Sequence, residues 1–403
     1  MSNLPTGNAI VAQSGGPSAV INQSLVGVVE SLRGKSNIKK ILGARHGVKG
    51  MTTGQITDLT GVSAETLEAV ARTPSSALGS TRDKPDRAYC ERVLEALKQN
   101  DVRYFFYIGG NDSSDTCRIV SEMARSTGYE LRAFHVPKTI DNDLMENDHT
   151  PGFASAARYV AMSFMGDSLD NRALPGIKLN VVMGRHAGFL TAASALARVR
   201  DDDGPHFIYV PEVPLSLDRF VADVDRVYNK LGRCHIAVSE GVNDEKGESI
   251  GASLIKGEAD AHGNAQLSGS GALGDQLIEL LKKRLTPAGG KAPRARADTL
   301  GYAQRYWPDP SPVDSREARE VGRHAVACAL KVEVTDGSIC IKRASKAGEP
   351  YRSEIGLVRL DQVAAKTRHL PAEFIAAGGG NVTAAFVEWC RPLVGELPKV
   401  GWL

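Results

Sequence analysis

The sequence predicts an α/β protein with two Rossmann-like lobes, each built on a mainly parallel sheet. Short apolar, β-branched stretches alternate with amphipathic helical patterns, which is typical of strands joined by helical crossovers. These strand–loop–helix units fall into two runs, one before and one after about residue 150, which indicates two lobes with a cleft between them. With 403 residues and 42% hydrophobic content, the chain is long enough to build both cores.

The first run opens with a buried strand at 9–14, a turn at Gly15 and Gly16, and an amphipathic helix over 19–32. A strand, a glycine turn and a helix can present backbone N–H groups to a phosphate. A glycine pair after a strand can equally be a simple tight turn. The remaining elements predicted in this run are strands at 40–44, 102–108 and 131–136 and helices at 86–100 and about 116–126.

The second run has the same alternation. Its predicted elements are helices at 151–165, 217–231, 272–285 and 315–331 and strands at 177–183, 206–210 and 234–241. The tail from Val332 to Leu403 offers no chemistry of its own, and we expect it to pack on the lobes or to form an oligomer contact.

Composition limits the possible partners and location. The chain has 49 basic and 47 acidic residues, so its formal net charge of +2 gives no electrostatic argument for binding nucleic acid or a membrane surface. The six cysteines are scattered without metal-ligand spacing, which favours reduced thiols. The N-terminus lacks the pattern of a signal peptide, and no apolar stretch is long enough to span a bilayer. A cytoplasmic protein is expected.

The loop over 136–144 carries the densest chemistry. It follows the apolar stretch 131–136 and places Lys138, Thr139, Asp141 and Asp143 within six residues. Open α/β sheets bind ligands at the carboxyl ends of their strands, where Lys138 could hold an anion and Asp141 could take a proton. The alternative is a solvated loop with an Asx turn around Asn142.

Two more loops carry candidate residues. Arg82 lies in a Gly/Ser/Thr-rich loop, where an arginine is usually solvated. The strand at 102–108 ends in Gly109-Gly110-Asn111-Asp112-Ser113, whose glycines suggest close approach of the backbone to a ligand. Ser113 is a plausible N-cap for the helix that follows.

Five motifs occur together in a recognisable order. They read GGNDS from Gly109, PKTIDND from Pro137, MGRHAG from Met183, SEG from Ser239 and LGYAQR from Leu300. In this order the chain resembles the phosphofructokinase family, in the branch that uses inorganic pyrophosphate instead of ATP. The matched pieces run from Gly15 to Arg305, about three quarters of the chain.

The resemblance implies roles for the residues on the donor side. Asp141 would be the base that deprotonates the 1-hydroxyl of fructose 6-phosphate, with Asp143 beside it, and Arg82 would bridge the transferred phosphoryl group. Gly15 would approach the donor. Lys138 marks the pyrophosphate branch, and the Asp112 carboxylate would repel the α-phosphate of a nucleotide. The chain departs from the family at Asn111, where an aspartate usually holds Mg²⁺; an amide oxygen can still bind a hard cation.

The resemblance also implies a sugar-phosphate site. Its residues would be Thr139, Ile140, Asp141, Met183, Gly184, Arg185, Glu240, Tyr302 and Arg305, with Arg296 reaching across a subunit interface. Without the resemblance, Glu240 is a loop carboxylate and Arg296 belongs to a solvated edge strand. The donor and Mg²⁺ lobe would comprise 1–150 and roughly 306–360, and the fructose 6-phosphate lobe 151–305 and roughly 361–403.

The implied activity is reversible, Mg²⁺-dependent phosphoryl transfer from pyrophosphate to O1 of fructose 6-phosphate in a homodimer or homotetramer. Three alternatives remain open. An ATP-dependent phosphofructokinase is disfavoured by Lys138 and Asp112. A non-catalytic homologue that binds sugar phosphate is supported by Asn111. A dinucleotide-binding enzyme lacks its G-x-G-x-x-G after the first strand.

Overall fold

A computed structural model describes residues 4–251, 271–346 and 348–401 of the chain. The backbone divides into two compact units. Unit 1 comprises Met1–Ser155 and Arg305–Arg368, and unit 2 comprises Ala156–Gln304 and His369–Leu403. Each unit contains one mainly parallel sheet with helices packed against it, which confirms the predicted fold class.

Strands and helices largely alternate along the chain, as the sequence patterns predict. The strands are β1 (Gly7–Gln13), β2 (Ile38–Ala44), β3 (Ile56–Asp58), β4 (Val102–Gly109), β5 (Arg132–Pro137), β6 (Ile177–Val182), β7 (Phe207–Tyr209), β8 (Cys234–Ser239), β9 (Ala295–Thr299), β10 (Asp336–Arg343) and β11 (Ser353–Val358). The helices are α1 (Ile21–Leu32), α2 (Gly47–Thr52), α3 (Ala64–Arg72), α4 (Arg87–Gln99), α5 (Asn111–Ser126), α6 (Phe153–Ala173), α7 (Phe189–Ala193), α8 (Leu217–Leu231), α9 (Ala272–Leu285), α10 (Ala303–Tyr306), α11 (Pro312–Ala329), α12 (Leu360–Val363) and α13 (Ala384–Val394). Short 3-10 turns cover Ser194–Ala197 and Ala372–Phe374.

Unit 1 is built on a seven-stranded sheet in the order β11-β10-β5-β4-β1-β2-β3. The pairs from β2 to β10 are parallel, whereas β3 and β11 pair antiparallel at the two edges. Side chains of β4 alternate between two apolar cores: Tyr104 and Phe106 enter one, and Phe105 and Tyr107 enter the other. Because both faces are covered, the middle of β4, from Tyr104 to Ile108, is apolar and buried on both sides.

Unit 2 has a smaller, wholly parallel sheet in the order β7-β8-β6-β9. Helices α8 and α9 pack on it through Phe220, Val224, Leu277 and Leu281, which are all buried. In both units the parallel strands bring their carboxyl ends to one edge, where the candidate loops lie.

The start of one helix differs from the prediction. Helix α5 begins at Asn111 rather than near residue 116, so Ser113 lies inside its first turn instead of capping it. The tail, which was expected to pack on the lobes or to form an oligomer contact, contributes β10 and β11 to the sheet of unit 1. No helix within the described ranges is long and apolar enough to cross a membrane.

Candidate active site

Three loops of unit 1 meet because they leave adjacent parallel strands. Strands β1, β4 and β5 lie side by side and end at Gln13, Gly109 and Pro137. The Ser14 hydroxyl lies 2.5 Å from that of Ser113, which links the first loop to α5. The Lys138 amide donates to the Gly109 carbonyl at 2.9 Å, which links the second loop to the third. The carboxyl edge therefore gathers residues that are far apart in the sequence.

The turn after β1 brings cations close to its backbone. Gly15 has a φ of +73°, a conformation that side chains rarely adopt, and a Cβ there would lie 3.1 Å from the Lys138 ammonium. A Cβ on Gly16 would lie 3.0 Å from the Arg305 guanidinium. The Lys138 Nζ donates to the Gly16 carbonyl at 2.6 Å. The glycine pair thus admits two cationic groups that larger residues would displace.

Lys138 is the electrostatic centre of this edge. Its side chain is almost fully buried, with 3% of the residue exposed. The pKa of Lys138 is lowered to about 7; burial is the main cause, the nearby charges of Arg305 and Arg82 add to it, and Asp141 and Asp143 oppose it. A buried lysine whose charge is opposed by two arginines is the arrangement of an anion site, because a bound anion would offset the repulsion among these cations.

The loop that carries Asp141 is ordered by its own backbone. Thr139 pairs with Gly152 in an isolated bridge, and the Thr150 hydroxyl donates to the Thr139 carbonyl at 2.8 Å. The Asp141 amide donates to the Thr139 hydroxyl at 3.2 Å. Asn142 is fully buried with a φ of +58°. The left-handed turn expected of an Asx loop is present, but this loop is packed inside the unit instead of being solvated.

The three other donor-side candidates surround this loop. Asn111 starts α5, and its Nδ2 lies 3.4 Å from Asp143 Oδ2. Asp112 is exposed in the same turn, 3.5 Å from Lys84 Nζ. Exposed Arg82 follows Thr81, whose carbonyl accepts from the Gly15 amide at 2.8 Å. All donor-side candidates thus lie on one edge of unit 1.

Unit 2 brings together the ends of β6 and β8. The Glu240 amide donates to the Val182 carbonyl at 2.9 Å, and the Ser239 hydroxyl donates to the Gly184 carbonyl at 2.7 Å. Gly184 has a φ of +123°, and a Cβ there would lie 2.5 Å from the Ala187 carbonyl. A Cβ on Gly241 would overlap the Arg185 carbonyl. Met183, Gly184, Arg185 and Glu240 therefore form one tightly packed pair of turns.

Arg296 is not part of that group. It lies on the exposed edge strand β9 opposite Lys178 and forms an ion pair with Asp170 at 3.1 Å. Thr299, at the end of the strand, lies three positions further along, a distance of about 10 Å. Tyr302, 41% exposed, follows β9 in unit 2, whereas Arg305 belongs to unit 1 beside Gly16.

The donor set fits a hard divalent cation. Asn111 Oδ1 is buried and accepts no hydrogen bond within the described residues, and the carboxylate of Asp143 adjoins its amide. No group of three or more His, Cys, Asp or Glu side chains that could hold a metal occurs in the part of the chain that the structure describes. An amide oxygen with a carboxylate suits Mg²⁺, which completes its octahedron with water and substrate phosphates.

Sequence reasoning missed several residues that build the site. Gly16 and Thr150 shape the two loops, but a glycine after a strand and a threonine in a loop carry little individual signal. Arg305 was read as a sugar-phosphate ligand only, because nothing local in LGYAQR shows that its guanidinium lies beside Gly16.

One of the two α/β units holds a buried lysine, two arginines and two carboxylates at the carboxyl edge of its sheet. This arrangement is that of an enzyme that handles phosphorylated substrates. Residues 8–329 match the family model described as Phosphofructokinase. The chain belongs to the phosphofructokinase family.

Individual relatives cover nearly the whole chain. It is 54% identical over 392 residues to the "Pyrophosphate--fructose 6-phosphate 1-phosphotransferase" of Rhodospirillum rubrum, a match that spans 97% of this chain and 95% of the relative. The protein of that name from Halomonas elongata is 38% identical, over 98% of this chain and 96% of its own. A crystal structure of the pyrophosphate-dependent phosphofructokinase from Nitrosospira multiformis superposes with a TM-score of 0.85 at 34% identity, covering 98% of this chain and 94% of that one.

Proposed function

We propose that this chain is a pyrophosphate-dependent 6-phosphofructokinase. It transfers a phosphoryl group reversibly from pyrophosphate to O1 of fructose 6-phosphate and yields fructose 1,6-bisphosphate and phosphate, a glycolytic reaction. Two relatives that match almost the whole of this chain, and almost the whole of their own length, carry the name of this activity. The observation that carries the donor assignment is the buried Lys138 beside Gly15, with the Asp112 carboxylate at the start of α5.

The charges in unit 1 suit a small, highly charged donor. Phosphoryl transfer depends on neutralising charge that spreads over the equatorial oxygens of the transferred group. Lys138 and Arg82 supply that positive charge, and a pyrophosphate anion would relieve the repulsion between them. A nucleotide would bring its α-phosphate towards the carboxylate of Asp112, which would repel it.

Asp141 acts as the general base in this proposal. The hydrogen bond from its own amide to Thr139 and the packing of Asn142 fix the loop, so the carboxylate can take the proton from the 1-hydroxyl as the new P–O bond forms. Asn111 and Asp143 would hold Mg²⁺ together with the donor phosphates. When bound, the cation supplies positive charge to the oxygens of the donor.

The sugar phosphate is assigned to Arg185, Glu240, Tyr302 and Arg305, with Thr139, Ile140, Met183 and Gly184 shaping the surroundings. Arginine pairs bidentately with phosphate, and a buried glutamate accepts hydrogen bonds from sugar hydroxyls. Glu240 is such a buried glutamate, with 4% of the residue exposed. A homodimer or homotetramer, in which Arg296 reaches a neighbouring subunit, remains part of the proposal.

The direct test is to measure formation of fructose 1,6-bisphosphate from fructose 6-phosphate and Mg²⁺, with pyrophosphate in one reaction and ATP in another. Turnover with pyrophosphate and none with ATP is expected. Turnover with ATP alone would overturn the roles of Lys138 and Asp112. If folded protein binds fructose 6-phosphate but turns over neither donor, the chain is a non-catalytic homologue.

A double substitution tests the donor assignment more closely. Lys138→Gly with Asp112→Gly removes the cation that pyrophosphate requires and the carboxylate that excludes a nucleotide, so ATP use should appear while pyrophosphate use declines. Steady-state kinetics with both donors measure the change. Asp115→Gly lies one helical turn further along α5 and serves as a control for the loss of an acidic residue there.

A further inference from the structure

The loop that carries Asp141 continues to a fully buried histidine. His149 Nδ1 lies 2.9 Å from Asp148 Oδ2, and its Nε2 lies 2.6 Å from Glu317 Oε2. Burial alone would lower the pKa of His149, but the hydrogen bonds to the two carboxylates outweigh it and raise the pKa to about 9. Both ring nitrogens therefore donate, and the imidazolium joins this loop to helix α11.

Both carboxylates are also held by the hairpin of β10 and β11. Glu317 Oε1 accepts from the Tyr351 hydroxyl at 2.8 Å and from the Ser353 hydroxyl at 2.5 Å. Arg343 Nε and Nη2 lie 3.1 and 3.2 Å from the two oxygens of Asp148, a bidentate pair. Three side chains of the tail thus contact the two carboxylates that pair with His149.

Backbone contacts tie the same tail to the loop itself. The Asp148 amide donates to the Ile341 carbonyl at 2.8 Å, and the Ile341 amide donates to Asn147 Oδ1 at 3.0 Å. Further along, the Arg368 amide donates to the Asp143 carbonyl at 2.8 Å, and its Nη1 donates to the Asp148 carbonyl at 2.7 Å. Residues 143 and 148, which bound the segment after the candidate base, are both fastened to the tail.

We propose that a tail segment, through Arg343, Tyr351, Ser353 and Arg368 and together with His149, positions Asp141 and Asp143 for phosphoryl transfer. This inference rests on the proposed function. The segment lies beyond residue 329, where the match to the family model ends. His149 and the tail residues are positioning residues, because they act on the candidate base through the loop.

A purely structural role explains the contacts less well. Buried ion pairs often contribute little net stability, because desolvation offsets their attraction, and their best-attested use is to select one arrangement. The loop has a separate anchor downstream, where the buried Asp314 accepts from the amides of Gly152 and Ser155 at 2.9 Å each. The His149 network therefore adds a constraint close to Asp143 that chain continuity does not require.

The test compares His149→Gln and Tyr351→Phe with a matched control, Lys342→Gln. Lys342 lies on β10 beside Arg343, and it contacts the same loop through an exposed ion pair with Glu146 at 2.9 Å. For each variant, kcat and the two KM values are measured with pyrophosphate and fructose 6-phosphate. Amide hydrogen exchange is followed over 138–144 and, as an internal reference, over β4.

His149→Gln should lower kcat by about 10- to 100-fold with little change in either KM, since small displacements of a reacting group cost that much. It should also speed exchange over 138–144 but not over β4. Tyr351→Phe removes one hydrogen bond to Glu317 and should shift both readouts in the same direction by less. The control should match the unmodified chain.

An unchanged kcat in folded His149→Gln would overturn the inference. So would a loss of activity that only follows the folded fraction, with faster exchange throughout unit 1. If His149→Gln does not fold, Tyr351→Phe decides by the same criteria. If the unmodified chain fails to use pyrophosphate, the proposed function fails, whereas the exchange comparison still tests whether the tail orders the loop.

Discussion

The carboxyl edges of the two sheets are built in contrasting ways. In unit 1 the edge is held by charges in a buried setting: Lys138 lies among Arg82, Arg305, Asp141 and Asp143, and its pKa falls to about 7. In unit 2 the corresponding edge is held by backbone geometry, with Gly184 and Gly241 in positions that reject a Cβ. The first edge is organised by electrostatics and the second by shape.

This difference follows from what each edge is proposed to bind. A transferred phosphoryl group needs charge fixed in advance, because fixed charges do not have to reorganise during the reaction. A sugar phosphate that stays intact needs a fitted surface around the sugar, with positive charge only where its own phosphate binds. Substitutions in unit 1 should therefore change kcat, and substitutions in unit 2 should change KM for fructose 6-phosphate.

The largest effect is expected at Asp141. Asp141→Asn keeps the size of the side chain but removes the base, so kcat should fall by about 10²- to 10⁴-fold while binding of fructose 6-phosphate persists. Calorimetric titration and initial rates measure the two quantities. Glu240→Gln is the counterpart in unit 2 and should mainly raise KM. An equal loss of kcat in both variants would break the contrast between the two edges.

Lys138→Met should have the next largest effect. The substitution keeps the apolar stem and removes the positive charge beside Gly15 and Gly16, which should lower kcat by about 10²- to 10³-fold. Initial rates at saturating pyrophosphate measure this. Lys84→Met, an exposed lysine 3.5 Å from Asp112, is the matched control and should retain most of the activity. If Lys138→Met were as active as Lys84→Met, Lys138 would not act on the transferred group.

Gly184→Ala tests the contribution of shape in unit 2. At a φ of +123° and 2.5 Å from the Ala187 carbonyl, the added methyl group should impose about 1–3 kcal/mol of strain. If this strain falls on substrate binding, KM for fructose 6-phosphate rises about tenfold to a hundredfold, with a smaller change in kcat. Gly232→Ala, at another positive φ but with open space around it, controls for strain alone. If Gly184→Ala and Gly232→Ala changed KM for fructose 6-phosphate by the same factor, the contrast between the two edges would be wrong.

The smallest expected effect is on stability. The pKa of Lys138 is about 7 in the folded chain, well below its value near 10.4 in the unfolded chain. At a pH between these two values, Lys138 therefore binds more protons in the unfolded chain than in the folded chain. Its contribution to stability therefore rises with pH through that window. Lys138→Met should unfold a few degrees higher than the unmodified chain near pH 7, and the difference should shrink towards pH 9. Thermal unfolding of both chains across this range checks the sign, and a gap that widens with pH would refute it.

The sequence predicts elements well where local pattern and burial agree. Helices α8 and α9 occupy the predicted ranges 217–231 and 272–285, and β4 covers Val102–Gly109 as its aromatic, β-branched run indicates. Helix α5 starts five residues earlier than predicted because Asn111, Asp112 and Ser113 were read as loop residues. The same polar residues also suit the first turn of a helix, where acidic side chains meet the N-terminal dipole.

Tertiary contacts explain what could not be predicted. The loop residues were chosen from local motifs, but Glu317 and Tyr351, which contact His149, lie about 170 and about 200 positions further along the chain. Nothing in the spacing of Arg343 or Tyr351 indicates that they meet this loop. The position of Arg305 beside Gly16 was equally invisible, since the two residues join only after β1 has paired within its sheet.

The register of β10 has a consequence for synthesis. Asp336–Ser338 pair with Ala133–His135, so the sheet of unit 1 gains its last two strands only after the whole described stretch from β6 to β9 has been translated. Contacts of such long separation are slow to form. The nascent chain must keep one side of β5 open while about 200 residues emerge, so strand-pairing errors or chaperone capture are most probable at that edge.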